Sequence, residues 1–177
     1  MLASFILKII AKIAKRKIYG WANNPIKTQK SQLKFILEKA KNTKFGIDHN
    51  FSKISGYKDF KSRVPIRDYE ELKEYIELIK LGEANILWPG KPIYFAITSG
   101  TTSGAKYIPI TKHSIKNHLS GPKNALLLYI AETGKTKFIE GKYIFIQGNP
   151  ILTKTSGILT GRLSGISAHH VPFYMKK

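Results

Sequence analysis

At 177 residues the chain is long enough for one domain with its own core, or for part of a larger one. It has no Cys, which excludes a disulfide framework and a thiolate metal site. Lys and Arg number 30 against 11 Asp and Glu, a formal charge of +19 that raises nucleic acid or an acidic membrane as partners. The arginines are only Arg16, Arg63, Arg67 and Arg162, and the lysines are scattered instead of gathered into one stripe, so nucleic-acid binding is not expected. Beyond Ala84 the only acidic residues are Glu132 and Glu140.

Leu2, Phe5, Ile6, Ile9, Ile10 and Ile13 recur at helical spacing, with Lys8, Lys12, Lys15 and Arg16 along the other side. This reads as an amphipathic helix packed on the domain with a solvated basic face; the competing reading is a helix lying on a membrane surface. Lys8 and Lys12 interrupt the apolar residues, so no transmembrane span or stable membrane insertion is expected. The uncharged run Leu2–Leu7 is too short for the core of an export signal. Without such a signal and without Cys, the expected location is the cytoplasm.

Gly20 and Asn23-Asn24-Pro25 break this helix, and a second runs from about Thr28 to Lys41, closed by Phe45-Gly46. Residues 48–63 read as turns with one helical turn near Tyr57–Phe60. Val64-Pro65-Ile66 is extended, because a residue before proline avoids the helical region. Asp68 and Glu71 have capping-box spacing at the start of a helix carrying Tyr69, Leu72, Ile76 and Ile79 on one face, and Gly82 ends it. Its paired carboxylates, Glu70 with Glu71 and Glu74 with Glu77, lie among Lys73 and Lys80 and read as a solvated face, not as an acid–base pair.

Leu87-Trp88-Pro89-Gly90 is a turn into Ile93-Tyr94-Phe95-Ala96-Ile97, a short buried strand. Next comes Thr98-Ser99-Gly100-Thr101-Thr102-Ser103-Gly104-Ala105-Lys106, followed by Tyr107-Ile108-Pro109-Ile110-Thr111. Glycines let the backbone turn tightly enough to expose N–H groups, hydroxyls donate to anionic oxygens, and the ammonium adds charge. That combination suits a polyphosphate.

Thr111 to Thr133 reads as largely helical, kinked or restarted at Pro122 and stopped by Gly134. Lys142 to Gln147 reads as a strand, and residues 149–177 as Gly-, Ser- and Thr-rich with short apolar pieces. Leu159 to Gly165 is either a second substrate-facing loop, with Arg162 meeting a carboxylate or phosphate, or a plain surface turn. His169-His170 is not read as a metal site, because neighbours on a strand point to opposite faces and no carboxylate cluster stands near. Ser99 has no Gly-x-Ser-x-Gly context, which argues against a serine hydrolase.

A Walker A loop counted from Gly100 needs Gly-Lys at 105 and 106 and then Ser or Thr, but Ala105 precedes Lys106 and Tyr107 follows it. The order resembles instead the phosphate loop of adenylate-forming enzymes, Ser/Thr-Ser-Gly-Thr-Thr-x-Gly with a lysine shortly after. The thioester-forming branch of that superfamily reads Thr-Thr-Gly-x-Pro-Lys. Here Ser103 is inserted before Gly104, no proline precedes Lys106, and Ile108-Pro109 follows. Together with the Trp88-Pro89-Gly90 turn and the strand Tyr94-Phe95-Ala96, these features resemble the auxin-responsive Gretchen Hagen family of acyl-acid amido synthetases, most specifically from Trp88 to Tyr174.

The resemblance implies an α/β fold, the opening portion of the large N-terminal domain of an adenylate-forming enzyme. A mainly helical lead-in (1–87) would precede a strand, phosphate loop, helix and strand (88–177), with the C-terminal domain absent. It implies ATP-dependent activation of a small carboxylic acid to an acyl-adenylate, then attack by an amino acid to give an amide. The 177 residues alone are expected to be inactive. Carried over by position, Thr98, Ser99, Gly100, Thr101, Thr102, Ser103, Gly104 and Lys106 would bind the nucleotide. Ser99, Thr101 and Thr102 would be the hydroxyl donors, Lys106 would supply charge, and Mg2+ would accompany ATP. The resemblance assigns no catalytic residue. The alternatives are a small basic protein for nucleic acid or a membrane surface, and an acyl-CoA ligase of the same superfamily, against which Ser103 and the missing Gly-x-Pro-Lys speak.

Overall fold

A computed structural model describes residues 2–98, 104–141, 144 and 148–171. The fold is α/β, with a helical lead-in followed by a small mixed sheet. The lead-in holds α1 (Leu2–Ala22), α2 (Pro25–Ala40), α3 (Lys44–Asp48), α4 (Tyr57–Arg63) and α5 (Lys73–Lys80). Helix α1 runs on through Gly20, and the break falls at Asn24, with Pro25 opening α2 where its missing N–H costs nothing. The corner from α2 to α3 is tight. Thr43 Oγ1 donates to the Ala40 carbonyl (2.7 Å) and accepts from the Gly46 N–H (3.1 Å), and a Cβ added at Gly46 would overlap the Ala40 carbonyl oxygen.

The capping box at Asp68 forms as expected: the Asp68 N–H donates to Glu71 Oε2 (2.8 Å) and the Glu71 N–H to Asp68 Oδ1 (3.0 Å). A 3-10 turn, Glu70–Leu72, leads from it into α5, which stops at Gly82 in a left-handed conformation (φ 93°).

The sheet contains β1 (Tyr94–Thr98), β2 (Lys106–Ile110), β3 (Thr153–Thr155) and β4 (Ile158–Gly161), in the order β2-β1-β4-β3. Strand β1 pairs antiparallel with β2 and parallel with β4, while β3 and β4 form an antiparallel hairpin. Between β2 and β3 runs α6 (Ser114–Thr133), and α7 (Leu163–Ala168) follows β4.

Four local readings change. Strand β2 lies between the loop and α6, where no strand is evident from the sequence. Pro109 is tolerated there because β2 is an edge strand and needs no outward N–H at that position. Helix α6 starts at Ser114, after reciprocal bonds between the Thr111 N–H and Ser114 Oγ (2.9 Å) and between the Ser114 N–H and Thr111 Oγ1 (3.0 Å). It passes Pro122 without interruption and ends at Gly134 (φ 68°). Residues 159–165 are not a loop but the end of β4 and the start of α7, and Ser156-Gly157 (φ 48° and 82°) supplies the two-residue turn from β3 to β4. Of the expected strand Lys142–Gln147, only Ile144 falls among the described residues.

Alternation along β1 divides the core. Phe95, fully buried, faces Tyr75 and Ile79 of α5 with Ile86 and Ile158. Ala96 points the other way, to Ile110, Ile115 at the start of α6, and Ile166 of α7. Farther along α6, Leu127 and Ile130 pack on Ala11 of α1, joined by a Lys15–Glu132 ion pair (2.9 Å). Helix α1 thus packs on the domain, but through Leu7, Ala11 and Ala14; the predicted apolar stripe faces away and is exposed. Among the described residues no helix is long and apolar enough to cross a membrane.

At the other end of α5, Tyr75 Oη donates to Asp48 Oδ2 (2.9 Å), and Lys44 lies 3.3 Å from the same oxygen. The tyrosine bond, then the lysine, hold the Asp48 carboxyl below its ordinary range. A carboxylate whose pKa is depressed on folding contributes stability above its unfolded pKa of about 4, and loses it as pH falls through the lower folded value. Asp48→Asn should therefore lower urea stability at pH 7, and the gap from the parent should close below about pH 4. Phe95→Ala should cost about 3–5 kcal/mol in the same measurement.

Candidate functional site

The polyphosphate-type loop spans the tip of a β-hairpin. Thr98 and Lys106 are the last opposed pair of β1 and β2, so they share a sheet face, and residues 99–105 connect them. Thr98 is exposed, Lys106 half-buried, and Gly104 exposed. Gly104 has φ 83° and open space around an added Cβ, so glycine is favoured there by backbone conformation, not by crowding. Of the predicted site residues, Thr98, Gly104 and Lys106 are thus placed together at one end of the hairpin. Ser99, Gly100, Thr101, Thr102 and Ser103 lie outside the described residues.

The second strand of the hairpin is held from outside the sheet. Tyr69 Oη accepts the Tyr107 N–H at 2.8 Å, and the Lys106 ammonium stands 5.3 Å from the centre of the Tyr69 ring. The Tyr107 ring meets Phe95 edge-on (5.7 Å) and lies under Lys80 (4.8 Å). Lys80 is bonded to both oxygens of Glu77 (2.8 Å each), and that bond raises its pKa above the ordinary value and keeps it cationic. Tyr69 is a positioning residue that the sequence presents only as part of a helix face. Its place just inside the capping box was readable, but its bond to the hairpin depends on β2, which was not.

A second feature converges on the same edge. Because β1 and β4 are parallel, with Ala96 opposite Gly161, both strands deliver the chain to one end of the sheet. That is where open α/β sheets place ligands. The loop leaves from Thr98, and the exposed Arg162 follows Gly161 directly. Residues 148–150 lie against α7: the Gly148 N–H donates to Ser164 Oγ (3.0 Å), and buried Gly165 leaves no room for a Cβ beside the Asn149 carbonyl.

The histidine pair follows α7 and is not on a strand. His169 Nε2 bonds the Pro150 carbonyl (2.7 Å) while the His170 ring meets Tyr94 edge-on (5.6 Å), so the two rings serve different neighbours. The Trp88 turn is locked by Asn85, whose Oδ1 accepts the Gly90 N–H (2.7 Å). Trp88 packs beside His113 (5.6 Å), which also stacks on Phe35 of α2 (5.2 Å).

The family described as "GH3 family N-terminal domain" matches residues 14–177. The chain belongs to the GH3 family. Among GH3 proteins, it is 29% identical over 144 residues to indole-3-acetic acid-amido synthetase GH3.2 of Arabidopsis thaliana, covering 78% of this chain and 25% of that protein. It is 34% identical over 84 residues to probable indole-3-acetic acid-amido synthetase GH3.13 of Oryza sativa subsp. japonica, covering 46% of this chain and 17% of the relative. The solved structure of AtGH3.15 acyl acid amido synthetase in complex with 2,4-DB superposes with a TM-score of 0.72 at 23% identity, over 90% of this chain and 28% of that one. The fold is therefore that of part of a GH3 protein, and the chain spans about a quarter or less of the length of the relatives it matches.

Tyr69→Phe should keep the ring beside Lys106 but remove the acceptor of the Tyr107 N–H. A loss of about 1–2 kcal/mol in urea unfolding is expected, with faster hydrogen exchange at the Tyr107 amide.

Proposed function

We propose that this GH3 chain carries the phosphate-binding part of an ATP-dependent acyl acid amido synthetase, which joins a small carboxylic acid to an amino acid through an acyl-adenylate. One observation supports this most directly: Thr98 and the Lys106 ammonium close the hairpin loop on one face, at the end of the sheet from which Arg162 also emerges. Membership of the family places the amide-forming reading ahead of acyl-CoA ligation and of a small basic binding protein.

The chemistry asks for donors that follow charge as it moves to the departing pyrophosphate. Pre-placed ammonium, hydroxyl and N–H groups do this without reorganising at the moment of reaction. In this reading Lys106 meets the phosphates, its ammonium beside the Tyr69 ring, and Ser99, Thr101 and Thr102 donate from the loop. Gly100 and Gly104 allow the backbone to approach, and Thr98 and Ser103 complete the nucleotide-binding set. An exposed threonine, a half-buried cation and a left-handed glycine fit a phosphate chain. Mg2+ would arrive with ATP and reduce its charge, keeping water in most of its coordination positions. Residues 1–87 would serve as the brace of the hairpin, and residues 88–177 as the phosphate-loop segment of a larger adenylating domain.

The test is acid-dependent exchange of pyrophosphate into ATP, made on the protein as its gene encodes it. Thr101→Val should abolish exchange, and Lys106→Met should lower it on the order of a hundredfold while leaving the unfolding transition in place. Exchange at the parent rate in both variants overturns the assignment of the loop.

A further inference from the structure

Helix α1 has two apolar faces, one packed and one exposed. Leu7, Ala11 and Ala14 pack on α6, and at 100° per residue the stripe of Leu2, Phe5, Ile6, Ile9, Ile10 and Ile13 falls on the far side. Those six side chains are exposed, Leu2 by 74% and Ile13 by 65%. An apolar stripe of this length is normally covered. All six also lie before residue 14, where the match to the GH3 domain begins. The charges around it are of one sign. Lys8, Lys12 and Arg16 border the stripe on one side and Lys17 on the other, and the first carboxylate in the chain is Glu38. Among the described residues, Lys15 is the only cation of α1 with an ion-pair partner.

We infer that the outward face of α1 docks on an anionic lipid surface, the helix lying in the plane of the interface while the remainder of the domain stays in water. Lipid supplies both things this face lacks, acyl depth for the stripe and negative headgroups for the flanking cations. A second copy of the chain would instead set the same cations against each other. The exposed Trp21 at the C-terminal end of α1 is a side chain that favours the headgroup level. The inference is independent of the nucleotide assignment.

The experiment is co-sedimentation of the protein, as its gene encodes it, with vesicles of phosphatidylcholine alone and of phosphatidylcholine with about one-third phosphatidylserine. Binding should require phosphatidylserine and weaken as salt is raised. Ile9→Gln with Ile13→Gln, and separately Lys8→Gln with Lys12→Gln, should each weaken it on the order of tenfold or more. Both pairs are exposed, so helical circular dichroism and the unfolding midpoint should stay at the parent values. The lysine pair keeps the test decisive if the isoleucine variant folds poorly. Three results overturn the proposal: no phosphatidylserine-dependent binding by the parent, binding indifferent to both variants, or a stable dimer that the isoleucine variant dissolves.

Discussion

The parallel pairing of β1 with β4 is the constraint on which the rest of the molecule depends. It joins two hairpins that would otherwise each have two bare edges, and it makes β1 and β4 the central strands of the sheet. Phe95 and Ala96 then have opposite surroundings, α5 on one side and the ends of α6 and α7 on the other. The same pairing brings the carboxyl ends of two strands to one edge, so Thr98 and Arg162 leave the sheet at the same end although distant in sequence. Core and site share one cause.

The lead-in is more than a spacer before the sheet. Its capping box fixes where Tyr69 stands, α5 presents Lys80, and both reach β2 instead of β1. The loop is thus held through its second strand by groups from an earlier part of the chain, while its first strand is held by the core. Glu77, Lys80, Tyr107 and Phe95 form a continuous stack from solvent to the sheet interior, which gives the hairpin a stiff base under a loop of small residues.

Much of this was legible in the sequence, and what was not has physical reasons. Strong local signals held: the capping box at Asp68, the glycine stops at Gly82 and Gly134, the apolar run that becomes β1, and the residue order that pointed to the family. Strand β2 was hidden because Pro109 reads as a strand breaker unless its edge position is known. The β3–β4 hairpin was hidden because three- and four-residue strands are too short to show alternation, although Ser156-Gly157 was a usable turn signal. Periodicity correctly made α1 a helix but indicated the wrong packing side, since small residues such as Ala11 pack closely without adding much hydrophobicity. At the candidate site Thr98, Gly104 and Lys106 were readable from the motif, whereas Tyr69 depends on a tertiary bond that no local pattern encodes.

The edge strand β2 has a consequence for how the sheet can grow. Its N–H groups alternate between β1 and the outside. At Tyr107 the outward one is already taken by Tyr69, and at Pro109 there is none. That border offers no ladder to a newcomer. The opposite border, β3, carries Thr153, Lys154 and Thr155 and has no such closure in its sequence. Among the described residues, then, the β2 border is closed to a further strand and the β3 border is not closed in this way.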